Sequence, residues 1–110
     1  MIEPDALAAL GALAHPTRLA TFRLLVRHEP VGLSTGQLAE AVGLTQSTFS
    51  THLAVLAKAG LVSAEKQGRQ MIQRANIEAL RGLMLFLAKD CCAGNPELCA
   101  PLVAELSPCC

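Results

Sequence analysis

The stretch Lys89–Cys99, KDCCAGNPELC, holds three of the chain's five cysteines, and Cys109 and Cys110 are the other two. Thiolates are soft ligands. Three of them suit a centre that takes three sulfurs in a pyramid with a lone pair on the fourth side, as trivalent arsenic or antimony does. Zinc takes four ligands, so Cys109 or Cys110 would have to join the first three. Cys91 and Cys92 adjoin at the end of a predicted helix, and Gly94-Asn95-Pro96 can reverse the chain so that Cys99 supplies a third sulfur. The same thiols could instead form a redox switch. Adjacent cysteines close a strained ring, so such a disulfide would form across the turn or to the tail. All five cysteines follow Lys89 and none precedes it. Small buried hydrophobes, the ordinary role of a single cysteine, would not be distributed in that way.

The rest of the chain must position these groups. At 110 residues it has the length of one domain, and with no Trp or Tyr and three Phe its core must be built from Leu, Val and Ala, which favours helices. Formal net charge is zero, which argues against a uniformly basic coat for nucleic acid but leaves room for a local basic stripe. Between Gln46 and Asn76, Lys58, Lys66, Arg69 and Arg74 stand against Glu65 alone; beyond Asn76, Arg81 and Lys89 face Glu78, Asp90, Glu97 and Glu105. A basic middle and an acidic tail point to different partners. The N-terminus MIEPDALAAL carries acids where a signal peptide carries bases, and no apolar run approaches the ~20 residues of a membrane span. The expectation is a cytoplasmic protein with no membrane partner, in which thiols stay reduced.

Spacing predicts a helix over Pro4–Ala14 with Leu7, Leu10 and Ala14 on one face. A second opens at Pro16 with a core stripe of Leu19, Phe22 and Val26, and Arg18, Arg23 and Arg27 lie off it. Ser34-Thr-Gly-Gln37 reads as a capping box that starts a short helix, Thr35–Val42, stopped by Gly43. After one turn Thr45 caps a helix over Gln46–Ala59, with Phe49, Leu53 and Leu56 inward and Gln46, Ser47, Ser50 and Thr51 largely on another face. Leu61–Lys66 and Arg69–Ala75 around Gln67-Gly68 predict a hairpin. Asn76 caps a last helix, Ile77–Cys91, with a broad stripe of Leu80, Leu83, Met84 and Leu87. Met71, Met84 and the phenylalanines read as core. His15 and His28 read as residues of helix ends, and no two histidines have ligand spacing.

Two short helices joined by a glycine turn and followed by a hairpin have the order of a winged helix-turn-helix. The fold class expected is mainly α with a small β-hairpin. Residues 1–92 form a DNA-binding and dimerisation domain, and residues 93–110 a cysteine-containing tail. The second helix of the pair has small hydrogen-bonding side chains near its N-terminus, as entry into a major groove requires. Lys66, Arg69 and Arg74 put positive charge on the hairpin beside the phosphates. The candidate DNA-contact set is Thr35, Gln46, Ser47, Thr48, Ser50, Thr51, His52, Lys66, Arg69 and Gln70.

The segments LAHPTRLATFRLL, STGQLAEAVGLTQSTFSTHLAVLAKAGLV and EKQGRQMIQRAN resemble the ArsR/SmtB transcriptional repressors. The resemblance covers Leu13 to Ala88, and QSTFSTHLAVLAKAGLV is its most specific part. It implies a homodimer held by the first and last helices, a major-groove helix starting at Gln46, and release of double-stranded operator DNA when an effector binds. Gln46, Ser47, Ser50, Thr51 and His52 match the family's recognition-helix positions, and Arg69 and Gln70 its wing. Some members bind metal through a Cys-x-Cys-type box on the helix before the recognition helix, but here that helix is GQLAEAVG, without Cys, His or Asp. Others use His and carboxylate pairs on the last helix, where this chain has Glu78 but no His. Some arsenic sensors of the family carry a Cys-Cys pair after the last helix and a third Cys beyond, and Cys91, Cys92 and Cys99 match that pattern.

The resulting expectation is a repressor whose effector is arsenic(III) or antimony(III) on Cys91, Cys92 and Cys99, with Cys109 and Cys110 as auxiliary ligands, and which needs no catalytic cofactor. The alternatives are a thiol redox, persulfide or zinc-responsive repressor of the same fold, and a thiol-based metal buffer or chaperone. The chain has neither a Gly-rich phosphate loop nor a histidine beside the cysteines, which argues against an enzyme.

Overall fold

The computed structural model describes residues 1–88 and 100–106. Helix α1 (Glu3–Leu13) has Pro4 in its first turn beside Glu3 and Asp5, where acids favour the positive helix end. Its buried residues are Ala6, Ala9 and Ala12, whereas Leu7 is 61% and Leu10 39% exposed. The predicted leucine face is therefore the outer face of α1. Alanines let neighbouring helix backbones approach closely, and they form the seam against α2 (Pro16–Arg27), α4 (Gln46–Lys58) and α5 (Ile77–Ala88).

On α2 the covered residues are Thr21, Phe22 and Leu25. Phe22 matches the predicted stripe, but Leu19 is 44% exposed and Val26 only half-buried. α3 (Thr35–Val42) begins with the predicted capping box: Gln37 N–H donates to Ser34 Oγ at 3.1 Å, and Ser34 N–H donates to Gln37 Oε1 at 2.9 Å. Ser34→Ala removes one half of this box and is expected to cost about 1 kcal/mol, read as a lower urea midpoint with unchanged slope. Gly43, at φ +74°, closes α3 in the left-handed region that a side chain disfavours, and so turns the chain toward α4.

α4 is capped by Thr45, whose Oγ1 accepts from Thr48 N–H. Its Phe49, Leu53 and Leu56 are buried as predicted, and join Leu25, Leu38 and Leu61 in one core. Two strands of the hairpin, β2 (Val62–Gln67) and β3 (Gln70–Ala75), pair antiparallel from Val62 opposite Ala75 to Gln67 opposite Gln70. A third strand that periodicity did not reveal, β1 (Leu33–Ser34), pairs with the other edge of β3, which makes β3 central. Gly32 permits this pairing. It sits at φ +77°, and a Cβ there would lie 2.4 Å from the Gln73 carbonyl oxygen.

Asn76 Oδ1 accepts from Ala79 N–H, as expected of the cap of α5, and Asn76 Nδ2 donates to the Gly60 carbonyl. Leu83 is buried and Leu80 half-buried, but Met84, Leu85, Phe86 and Leu87 are exposed. Met71, also expected in the core, is exposed on the hairpin. A further helix, α6 (Ala100–Leu106), occupies part of the stretch read as tail. No helix among the described residues is long and apolar enough to cross a membrane.

Candidate nucleic-acid interface

The N-terminal half of α4 turns Phe49 and Leu53 into the core, which leaves Gln46, Ser47, Thr48, Ser50 and Thr51 exposed on its other side. Thr48 is partly engaged by the cap, with its Oγ1 3.1 Å from Thr45 Oγ1. Beside this end of α4 lies a recess of about 360 Å³, lined by Ser34, Thr35 and Gly36 at the start of α3, by Gln46, and by Arg69, Gln70 and Met71 of the hairpin. The structure thus brings the start of α3, the start of α4 and the hairpin tip to one place. The Arg69 guanidinium and the hydroxyl and amide side chains of Thr35, Gln46 and Gln70 beside this recess are groups suited to a backbone phosphate.

Lys66 and Arg69 are exposed and make no ion pair among the described residues. Thr35 is held more tightly than its candidate role suggested. Gln73 Nε2 donates to its Oγ1 at 3.2 Å, and that hydroxyl lies 3.5 Å from the Met71 carbonyl. This buried glutamine ties the start of α3 to the centre of the sheet. Arg74, expected to add charge to the hairpin, is instead bound to Glu29 at 2.8 Å. Hydrogen bonding and the charge of Glu29 raise the guanidinium pKa still further. Its role is to fasten the start of the α2–β1 connection to β3.

His52 departs from the exposed set. It is half-buried, its ring centroid lies 4.5 Å from that of His15, and its Nδ1 is 3.5 Å from Arg18 Nη1. Arg18 Nε donates to the Ala12 carbonyl at 2.6 Å, so one guanidinium joins the end of α1 to α4. His15 Nδ1 accepts from Thr17 N–H and caps α2, as expected of a helix-end residue. Sequence spacing separates these residues and gave no sign that they meet. Burial, then the charges of His52 and Arg18, holds His15 below the usual histidine value of 6.5.

The folded chain therefore keeps His15 neutral where the unfolded chain would begin to protonate. Stability is expected to be fully present above about pH 6.5 and to fall as the pH drops below it, levelling off once the folded-state value is passed. Urea midpoints at neutral pH and at about pH 5.5 check this. His15→Asn, which can cap but cannot titrate, should flatten the slope.

Cys91, Cys92, Cys99, Cys109 and Cys110 all lie outside the described residues. Among the described residues no group of three or more His, Cys, Asp or Glu side chains could hold a metal ion.

A helix-turn-helix domain family matches residues 13–63. The chain is 49% identical over 71 residues to the HTH-type transcriptional regulator CmtR of Mycobacterium tuberculosis, a match that covers 64% of this chain but 58% of that protein's length. It is 30% identical over 88 residues to the HTH-type transcriptional regulator YgaV of Escherichia coli, covering 80% of this chain and 87% of YgaV. Among solved structures, a "possible transcriptional regulator for arsenical resistance" is 32% identical with a TM-score of 0.64, covering 88% of this chain and 94% of that one. The homodimeric winged helix-turn-helix domain of a possible ArsR-family regulator from Mycobacterium bovis is 26% identical with a TM-score of 0.64, covering 79% and 81%. CmtR and YgaV are named as transcriptional regulators, and the two solved structures as possible ones. With its reading helix, glycine turn and three-stranded wing in the same order, the chain belongs to the ArsR family of winged helix-turn-helix transcriptional regulators.

Proposed function

We propose that this protein is a homodimeric repressor that holds a two-fold operator and releases it when a trivalent arsenical or antimonite binds Cys91, Cys92 and Cys99. The observation that carries the DNA-binding part is the convergence of the exposed end of α4 with Arg69 and Gln70 around one recess. Gln46, Ser47, Ser50 and Thr51 read base edges, Lys66 and Arg69 contact phosphates, and Thr35 and His52 hold the reading elements in place. Two copies place their reading helices roughly 34 Å apart, one turn of B-DNA.

The dimer forms through the outer faces of α1 and α5. Leu7 and Leu10 on α1 and Met84, Leu85, Phe86 and Leu87 on α5 are exposed apolar side chains that such a contact would cover. The described part of α5 ends at Ala88 and the thiols begin at Cys91, so the effector acts at the end of the dimerisation helix. The donor set supports a thiophilic ion: α3 has no Cys, His or Asp, and α5 as described has no His. The solved relative described for arsenical resistance supports the same direction.

The test starts with selection of a binding duplex from random DNA by the reduced protein, followed by titration of the complex with arsenite. Release of the duplex by arsenite, with no release by zinc, supports the reading. A complex stable to arsenite but dissolved by an oxidant or persulfide would assign the thiols to redox sensing. Failure to select any duplex would remove the repressor function altogether.

A further inference from the structure

A second recess, of about 380 Å³, lies on the side of α2 that carries Leu19, Phe22, Arg23, Val26 and Arg27. These positions follow i, i+3, i+4, i+7 and i+8, one continuous stripe of a helix. Leu13 from the end of α1 and Leu80 from α5 form the rest of the lining, which is almost wholly apolar apart from the two arginines. Its volume falls within the range of small-molecule pockets.

The charges here are unbalanced. Arg23 and Arg27 stand one turn apart, both exposed, with no ion pair or hydrogen-bond partner among the described residues. Like charges at this spacing repel, and α2, PTRLATFRLLVR, contains no acid to relieve them. No acidic residue lines the recess, and Glu78, the acid nearest Leu80 in sequence, is paired with Arg81. An apolar hollow edged by two free guanidiniums is complementary to a molecule with an apolar body and one anionic head.

We propose that this recess binds an amphipathic monocarboxylate such as a medium-chain fatty acid. Its alkyl chain lies against Phe22, Val26 and Leu80, and its carboxylate lies between Arg23 and Arg27. The same helix carries Arg18, which reaches His52 on α4.

Isothermal titration calorimetry of the full chain with decanoate below its micellar range tests the proposal. The expected result is saturable binding of one decanoate per chain, weakened about tenfold or more by the double variant Arg23→Gln/Arg27→Gln, with decanol similarly weak on the unaltered chain. Leu19→Trp, at a 44% exposed position, should block binding by filling the recess. In a chain without Trp or Tyr, it also provides a fluorescence signal that reports whether the fold is retained. Absence of saturable binding would overturn the proposal. So would equal binding of decanol, or unchanged binding by the double variant, which would place the ligand on the exposed leucines of α1 and α5. A double variant that alters self-association and leaves decanoate binding intact would assign the recess to a second copy of the chain. None of these measurements involves the cysteines, so their outcome is independent of the arsenical reading.

Discussion

Phe49→Ala is expected to cost the fold about 3–5 kcal/mol and to weaken DNA binding without touching any candidate DNA contact. Phe49 has no exposed surface and sits on α4 among Leu38, Leu53 and Leu56 in the core. Truncating a buried phenylalanine removes transfer energy and leaves a cavity, at a cost of about 3–5 kcal/mol. A domain of this size has about 5–15 kcal/mol in total, so this one side chain supplies a large share of the margin. Because α4 is both a core element and the reading helix, loss of packing and loss of function should coincide. Phe49→Leu, which keeps most of the volume, should cost roughly 1.5 kcal/mol or less and keep DNA binding. Urea unfolding followed by far-UV circular dichroism, alongside DNA affinity, checks the pair. A Phe49→Ala chain that melts like the original would mean that the core does not depend on α4 in this way.

Cys92→Ser is expected to abolish arsenite-driven release while leaving affinity for DNA unchanged without arsenite. Three sulfurs are needed for inorganic arsenite, and Cys91, Cys92 and Cys99 are the proposed set. A hundredfold loss of operator affinity on effector binding requires the ion to prefer the released state by about 2.7 kcal/mol, a preference that a two-sulfur site for a three-coordinate ion should not supply. Cys91→Ser and Cys99→Ser should behave likewise, and Cys109→Ser and Cys110→Ser should retain release. A methylated arsenical needs only two sulfurs, so it should still act on one of the single variants. The readout is DNA release against arsenical concentration for each variant. Arsenite release that survives all three substitutions would sink the assignment of these thiols, and loss only in the Cys109 and Cys110 variants would move the site to the end of the chain.

Much of the reading head was legible because it is encoded over short distances. Ser34 with Gln37, Thr45 with Thr48 and Asn76 with Ala79 are caps whose partners lie three residues away. Gly43 stops α3 by its own backbone freedom, and Phe49, Leu53 and Leu56 repeat at helical spacing. The hairpin followed from two short segments around Gln67-Gly68, and its register came from the structure. By contrast, the two-residue β1 has no periodicity of its own and exists because Gly32 lets the chain lie against Gln73.

The sequence by itself determined the order of the reading elements, their caps and the gathering of the thiols, because these are local choices of residue type. Only the tertiary structure decided which faces close. Alanines rather than leucines line the inner side of α1, because helix packing rewards close approach as well as hydrophobicity, and the displaced leucines become an outer surface. Arg74 is removed from the wing's charge by Glu29, and His52 meets His15 and Arg18; these pairings span long stretches of chain that no repeat or spacing links. Arg23 and Arg27 look like ordinary surface charges on a helix until α1 and α5 wall the apolar recess beside them. A local code specifies how each segment begins, ends and repeats, and the meeting of distant side chains depends on how the segments pack.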